Sequence, residues 1–177
     1  MKSIGIVRRI DEMGRIVIPK EIRKTLRINN NDNIEIYIEG EDKIILKKYS
    51  LMKNINDFSQ KFVDSMHSFI KNNIIITDTK DIIAVAGLNK KDYLNKPISE
   101  KLEISIMRRE NILEKYPKEY ELINGKNELG TYAISTIIAN GDAIGLVIMT
   151  SNDEELNHTD EKVVKIASQF LGKYLEQ

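Results

Sequence analysis

The chain has 177 residues and a formal net charge of zero, from 27 basic and 27 acidic groups, a length that suits one large or two small domains. It contains no cysteine, which excludes disulfides, thiolate catalysis and thiolate metal sites and fits a reducing compartment. The N-terminus lacks the apolar core of a signal peptide, and no run approaches the ~18 consecutive apolar residues of a membrane span, so a soluble, cytoplasmic protein with no membrane partner is expected.

The neutral total hides an asymmetry. Residues 1–27 hold eight basic groups against three acidic ones, a net of +5, whereas residues 28–50 and 51–177 carry nets of −2 and −3. A basic end on a slightly acidic body suggests a polyanion-binding head on a separate module. We therefore divide the chain into a head, 1–50, and a body, 51–177.

In chain order, "GIVRRI" (5–10) and "RIVIP" (15–19) predict two short β-branched strands, with "DEMG" as the turn and Gly14 free to take a positive φ. Pro19 lacks a backbone donor and suits the first turn of a helix, "KEIRKTLRI", of about two turns. "NIEIYIEG" alternates apolar and polar like a half-buried strand, and "KIILKKY" returns after the turn "EGED". Fifty residues with four short strands and one short helix make a small core. Without cysteine or a local histidine to staple it, an obligate dimer is expected.

From Leu51 the period changes. Leu51, Ile55, Phe58, Phe62, Met66, Phe69 and Ile70 recur at spacings of three or four, predicting a long amphipathic helix over about 51–72. Val63 widens the stripe beyond a two-stranded seam, so the helix is expected to face both its own domain and a sister helix. "NIIIT" (73–77) and "IIAVAG" (82–87) predict a hairpin, and residues 98–111 a helix. "TYAISTIIA" (131–139) and "AIGLVIMTS" (143–151) flank Asn140-Gly141, a strong hairpin signal. Residues 160–177 predict a closing helix with Thr159 as N-cap and Val163, Ile166, Ala167, Phe170 and Tyr174 on its inward stripe.

Between Val7 and Leu26 lie six of the head's basic groups. With the turn centred between Asp11 and Glu12, Arg8 and Arg15 become cross-strand neighbours, and like charges so placed destabilise a hairpin; a register one step over makes them diagonal, which weakens the effect but keeps them near. Lys20–Lys24 and Arg23–Arg27 are like-charged i,i+4 pairs on the helix. A fold that keeps such crowding meets an external anion, for which arginine forks and lysine point charges suit phosphate.

The stretch "DEMGRIVIPKEIRKTL" resembles the AbrB-like swapped-hairpin DNA-binding family, whose pattern D-x-x-G-R-[IV]-V-I-P-x-E-[IL]-R is met from Asp11 to Arg23. The resemblance runs from Met1 to Tyr49. It implies an α+β chain whose head is a β-barrel interleaved from two chains and binds double-stranded DNA. The family's DNA-contacting positions fall on Arg8, Arg15, Arg23 and Lys24, and Arg9, Lys20 and Arg27 are additional candidates. Arg27 stands where the family often has glycine. The helix–sheet–helix order of the body resembles a GAF domain, an α/β sensor fold. The combination, with "NIIITDTKDIIAVAG" and "NKPIS", resembles a family of late-sporulation transcription regulators. That resemblance implies activator and repressor roles, a nucleoid and forespore location, and a homotetramer.

Rival readings are weaker. GAF-fold enzymes that reduce methionine sulfoxide need cysteines. His67 and His158 stand alone, without a metal-ligand spacing, and no phosphate loop or nucleophile motif is present; no enzyme activity, cofactor or metal is expected. An antitoxin, or a general transition-state regulator whose C-terminal domain binds a protein partner, is the alternative. The body could also take an unidentified small molecule, though no ligand-binding residue is named by the sequence.

Overall fold

The computed structural model describes residues 5–26, 28, 30, 32–48 and 55–176. The chain divides into two compact units, Met1–Tyr49 and Ser50–Gln177.

The N-terminal unit contains helix α1 (Lys20–Thr25) and the hairpin β1 (Ile34–Glu39)–β2 (Lys43–Lys48). The hairpin register sets Glu35 opposite Lys47 and Glu39 opposite Lys43, opposite charges at facing positions. The two strands expected at 5–10 and 15–19 are not strands. Two turn bonds close between the segments, Asp11 N–H to Arg15 C=O at 3.1 Å and Gly14 N–H to Asp11 C=O at 2.9 Å. A strand exists only with a ladder partner, and beyond this turn the two segments do not supply one to each other. The helix is also shorter than expected. Ile28 N–H reaches back to Arg23 C=O at 2.8 Å, the 6→1 bond that closes helix ends. No residue of α1 is buried, and Val7 and Ile38 are 92% and 81% exposed.

The body is built on a five-stranded sheet of order β4-β3-β7-β6-β5 with antiparallel neighbours. Its strands are β3 (Asn73–Thr77), β4 (Ile82–Ala86), β5 (Asn111–Ile123), β6 (Lys126–Ala139) and β7 (Asp142–Ser151). The helices are α2 (Asn56–Ile70), α3 (Lys90–Tyr93), α4 (Glu100–Arg108) and α5 (His158–Leu175). The pleat sends Ile74, Ile76, Val147 and Met149 to one face, against Val63 of α2 and Val164, Ala167 and Leu171 of α5. It sends Ile75, Leu146 and Ile148 to the other, against Tyr93, Leu102 and Ile106. Both faces are covered, which is why "NIIIT" and "IIAVA" are continuous apolar runs. The free edge of β4 is closed by Gln60, whose amide donates to Val85 C=O at 2.9 Å and accepts from Val85 N–H at 3.2 Å.

Three expectations for the body need correction. The helix foreseen over 98–111 is Glu100–Arg108: Ser99 Oγ accepts the Leu102 N–H, and Arg109 turns left-handed at φ 55° to end it. Helix α5 is capped by Asn157, not Thr159, in a reciprocal box with Asp160; the Thr159 N–H donates to Asn157 Oδ1 at 2.7 Å. The inward stripe of α5 is rotated from the expected one. Val164, Ala167, Ser168, Leu171 and Gly172 are buried, while Ile166 is 65% exposed and Phe170 and Tyr174 are also exposed. The cause is close packing: a Cβ on Gly172 would stand 2.1 Å from the Ile138 carbonyl oxygen. The sheet-facing stripe is thus partly made of small residues, which hydrophobicity does not mark.

Strand β5 and the first third of β6 carry no sequence expectation. They form a hairpin at Asn124-Gly125, with Gly125 at φ +78°, the same signal as at Asn140-Gly141. Pro117 masks it. The ladder register shifts between Glu114 and Lys118, and β5 is an edge strand, where proline is tolerated.

Candidate nucleic-acid interface

The basic residues of the head are positioned by one turn and one short helix. In the turn, Asp11 makes five hydrogen bonds among the described residues. Its backbone makes the two already described, and Oδ1 accepts the N–H groups of Met13 (3.0 Å) and Arg15 (2.8 Å). Oδ2 accepts the Arg15 Nε–H at 2.8 Å. The residue between, Gly14, takes φ +76°, which the tight return demands. The Arg15 N–H and then its guanidinium hold the Asp11 carboxyl below the usual carboxylate range.

This corrects the expected register. Asp11, not Arg8, lies across from Arg15, so the turn itself supplies a counter-charge where sequence reasoning foresaw like-charge crowding. A local signal pointed to it: an aspartate at the first position of a Gly-containing turn readily bonds the backbone two residues on.

Arg8, Arg9, Lys20 and Lys24 are exposed, whereas Arg23 is half-buried. Arg23 donates from Nη1 to Asn30 Oδ1 at 3.2 Å, and its buried Nε has no partner. Arg23 and Lys24 both sit in the last turn of α1, the end that favours cations. Among the described residues, only Arg15 of the candidates takes part in an ion pair. Arg27 lies outside the described residues.

In the body, Leu51 also lies outside the described residues. Ile55, Phe58, Phe62 and Met66 are half-buried and pack against the core, while Phe69 is 88% exposed. Phe58 stacks on Tyr174 with centroids 4.5 Å apart, and Phe62 on Phe170 at 5.6 Å. The aromatic residues of α5 that were expected to point inward therefore extend the α2 stripe instead. On the other face, a cavity of about 280 Å³ lies among Leu102, Ser105, Ile112, Tyr120, Tyr132 and Ile134. No group of acidic and histidine side chains among the described residues could hold a metal ion, and none of their helices is long and apolar enough to cross a membrane.

Two family models match separate stretches of the chain. The family described as stage V sporulation protein T C-terminal, transcription factor, matches residues 54–176. That described as antidote-toxin recognition MazE, bacterial antitoxin, matches residues 7–53. Stage V sporulation protein T of Bacillus subtilis (strain 168) is 44% identical over 178 residues, covering 100% of both chains. The transition state regulatory protein AbrB of the same organism is 63% identical over 49 residues, covering 28% of this chain and 50% of its own. The GAF domain from Acinetobacter phosphoenolpyruvate-protein phosphotransferase superposes with TM-score 0.57 at 11% identity, covering 73% of this chain and 84% of that one.

An AbrB-like head joined to a GAF-like α/β body defines a class of two-part transcription factors. Within that class, the chain belongs to the stage V sporulation protein T family. The family resemblances read from the sequence, for head and body alike, hold.

Proposed function

We propose that this chain is a DNA-binding regulator of late sporulation genes, acting as activator and repressor in the forespore cytoplasm. Its heads pair to bind double-stranded DNA through Arg8, Arg15, Arg23 and Lys24, and its bodies join through α2 to give a homotetramer. The observation that carries the reading is this basic set around one turn and one short helix: Arg8, Arg15 and Lys24 are exposed, and Arg8, Arg23 and Lys24 have no ion-pair partner among the described residues.

A paired head presents these four residues twice. If about six of the groups meet phosphates, log affinity falls with log salt at a slope near −5, from ~0.9 per phosphate. A slope of about −1 refutes this surface. Recognition by a helix of six residues leans on DNA shape as well as base contacts, so selection yields a loose, AT-leaning consensus rather than one long invariant palindrome. The assembly is tested by light scattering on the full chain. Phe69→Glu, at the exposed large apolar side chain of α2, reduces the tetramer to a dimer; an unchanged tetramer removes α2 from the interface. The small-molecule expectation is tested at the cavity under α4, by thermal shift against a metabolite panel. An antitoxin instead wraps its toxin with a short disordered tail, so whether the C-terminal part folds alone separates the two readings.

A further inference from the structure

We propose that Asp11 is a positioning residue for base recognition: it holds Arg15 by Nε so that the two terminal amino groups face outward as a fork for a guanine edge. The inference rests on the DNA-binding reading above and adds to it a division of labour between residues.

The Arg15 side chain is 69% exposed, and a free arginine so exposed samples many rotamers. Immobilising one on binding costs conformational entropy. Here the backbone of Arg15 is bound twice to Asp11, through C=O and N–H, and its Nε a third time. Three bonds to one residue fix where the side chain leaves the turn and how its plane is oriented. The carboxylate occupies Nε only. Nη1 and Nη2 make no hydrogen bond among the described residues, and together they match the O6 and N7 acceptors of guanine in the major groove.

The same carboxylate works against simple phosphate attraction, because it places a negative charge 2.8 Å from the guanidinium. A surface built only to attract phosphate is better without it. An exposed pair of this kind also adds little to fold stability. Its net effect is to trade general affinity for direction. Arg8, Arg9, Lys20 and Lys24 carry no such partner among the described residues, and they suit the phosphate backbone.

The test compares the full-length wild type with Asp11→Asn and Arg15→Lys. Each is titrated with a duplex selected by the wild type and with a scrambled duplex of equal length and composition. Asp11→Asn keeps an Oδ1 acceptor for the two turn N–H groups but faces Nε with an amide. Its affinity for the selected duplex falls about tenfold, while that for the scrambled duplex stays level or rises. Arg15→Lys keeps the charge and loses the fork, so its discrimination falls about as far with an unchanged salt slope. Parallel shifts on both duplexes for Asp11→Asn mean a purely electrostatic role and overturn the proposal. If circular dichroism shows that Asp11→Asn fails to fold, Arg15→Lys decides, and retained discrimination overturns it. A wild type that binds both duplexes equally overturns base readout while leaving DNA binding intact. One that binds neither removes the DNA reading itself.

Discussion

Replacing Gly172 by alanine puts two opposed effects in direct competition. In an exposed helix interior, glycine to alanine stabilises by about 1 kcal/mol through backbone entropy. On α5, however, the new Cβ would stand 2.1 Å from the Ile138 carbonyl oxygen and 3.1 Å from its carbon. An ordinary carbon–oxygen contact is about 3.3 Å or more, so α5 has to retreat from β6 by roughly 1 Å. That gap weakens the contacts of Val164, Ala167 and Leu171, each nearly or wholly buried against the sheet; a radial gap of this size forfeits up to about half of the contact attraction. Overpacking typically costs about 1–3 kcal/mol, and backbone cannot swing aside, so the upper part of that range applies. The net effect is a loss of about 1–2 kcal/mol. At roughly 3–5 °C per kcal/mol for a unit of this size, the body transition drops by about 4–8 °C. Thermal scanning by circular dichroism in the helix band reads it, with Lys165→Ala at an exposed position of α5 as a control that moves little. A Gly172→Ala variant as stable as wild type, or more so, refutes the close approach as the reason for glycine there.

Glu128 accepts a short hydrogen bond from the Tyr93 hydroxyl and one of 3.1 Å from Tyr120. Glu128→Ala therefore leaves two largely buried hydroxyls without that acceptor and costs about 2–3 kcal/mol in urea unfolding, whereas Glu128→Gln, which keeps an acceptor, costs less. Burial, with the nearby Glu128 charge adding to it, pushes the Tyr120 phenol up to about 12 against an opposing hydrogen bond to Thr150. A raised folded pKa contributes stability that is whole below the ordinary tyrosine value near ~10 and is lost as pH rises through 12. Alkaline unfolding of the body should accordingly be delayed in Tyr120→Phe relative to wild type over that window, and an identical alkaline profile refutes the assignment. Tyr93 is raised as well, chiefly by burial, so Tyr93→Phe acts in the same direction.

The body was legible wherever side-chain period and turn chemistry agreed. Strand β3 was read to the residue and β4 and β7 to within one, because apolar runs bounded by "DTKD" and Asn140-Gly141 leave little choice. The hairpin at Asn124-Gly125 carried the same turn signal but lay beside Pro117, and proline argues against a strand unless the strand is an edge, which only the assembled sheet reveals. The inward face of α5 was misread because a stripe of Ala167, Ser168 and Gly172 is chosen by how closely a backbone approaches, not by transfer energy. In the head, the basic residues were evident from composition. Their arrangement was not, since it depends on which residue faces Arg15, and a shift of turn centre changes that neighbour from arginine to aspartate.

The two units differ in how they meet the same physical requirement. The body buries large aliphatic side chains on both faces of its sheet and closes one edge with Gln60. The head leaves Val7, Val17, Ile36, Ile38 and Ile44 exposed, and a second copy is the proposed cover. Pairing two heads hides that apolar surface but also brings together two segments of net charge +5 each. Apolar burial favours the pair regardless of salt, whereas the repulsion opposes it and weakens as salt screens it. DNA relieves the same repulsion directly. In the proposed assembly, association of the heads and binding of DNA are therefore coupled in one sense: each raises the affinity of the other by the same factor. The positive charge that opposes pairing of the heads is what makes their proposed assembly responsive to DNA.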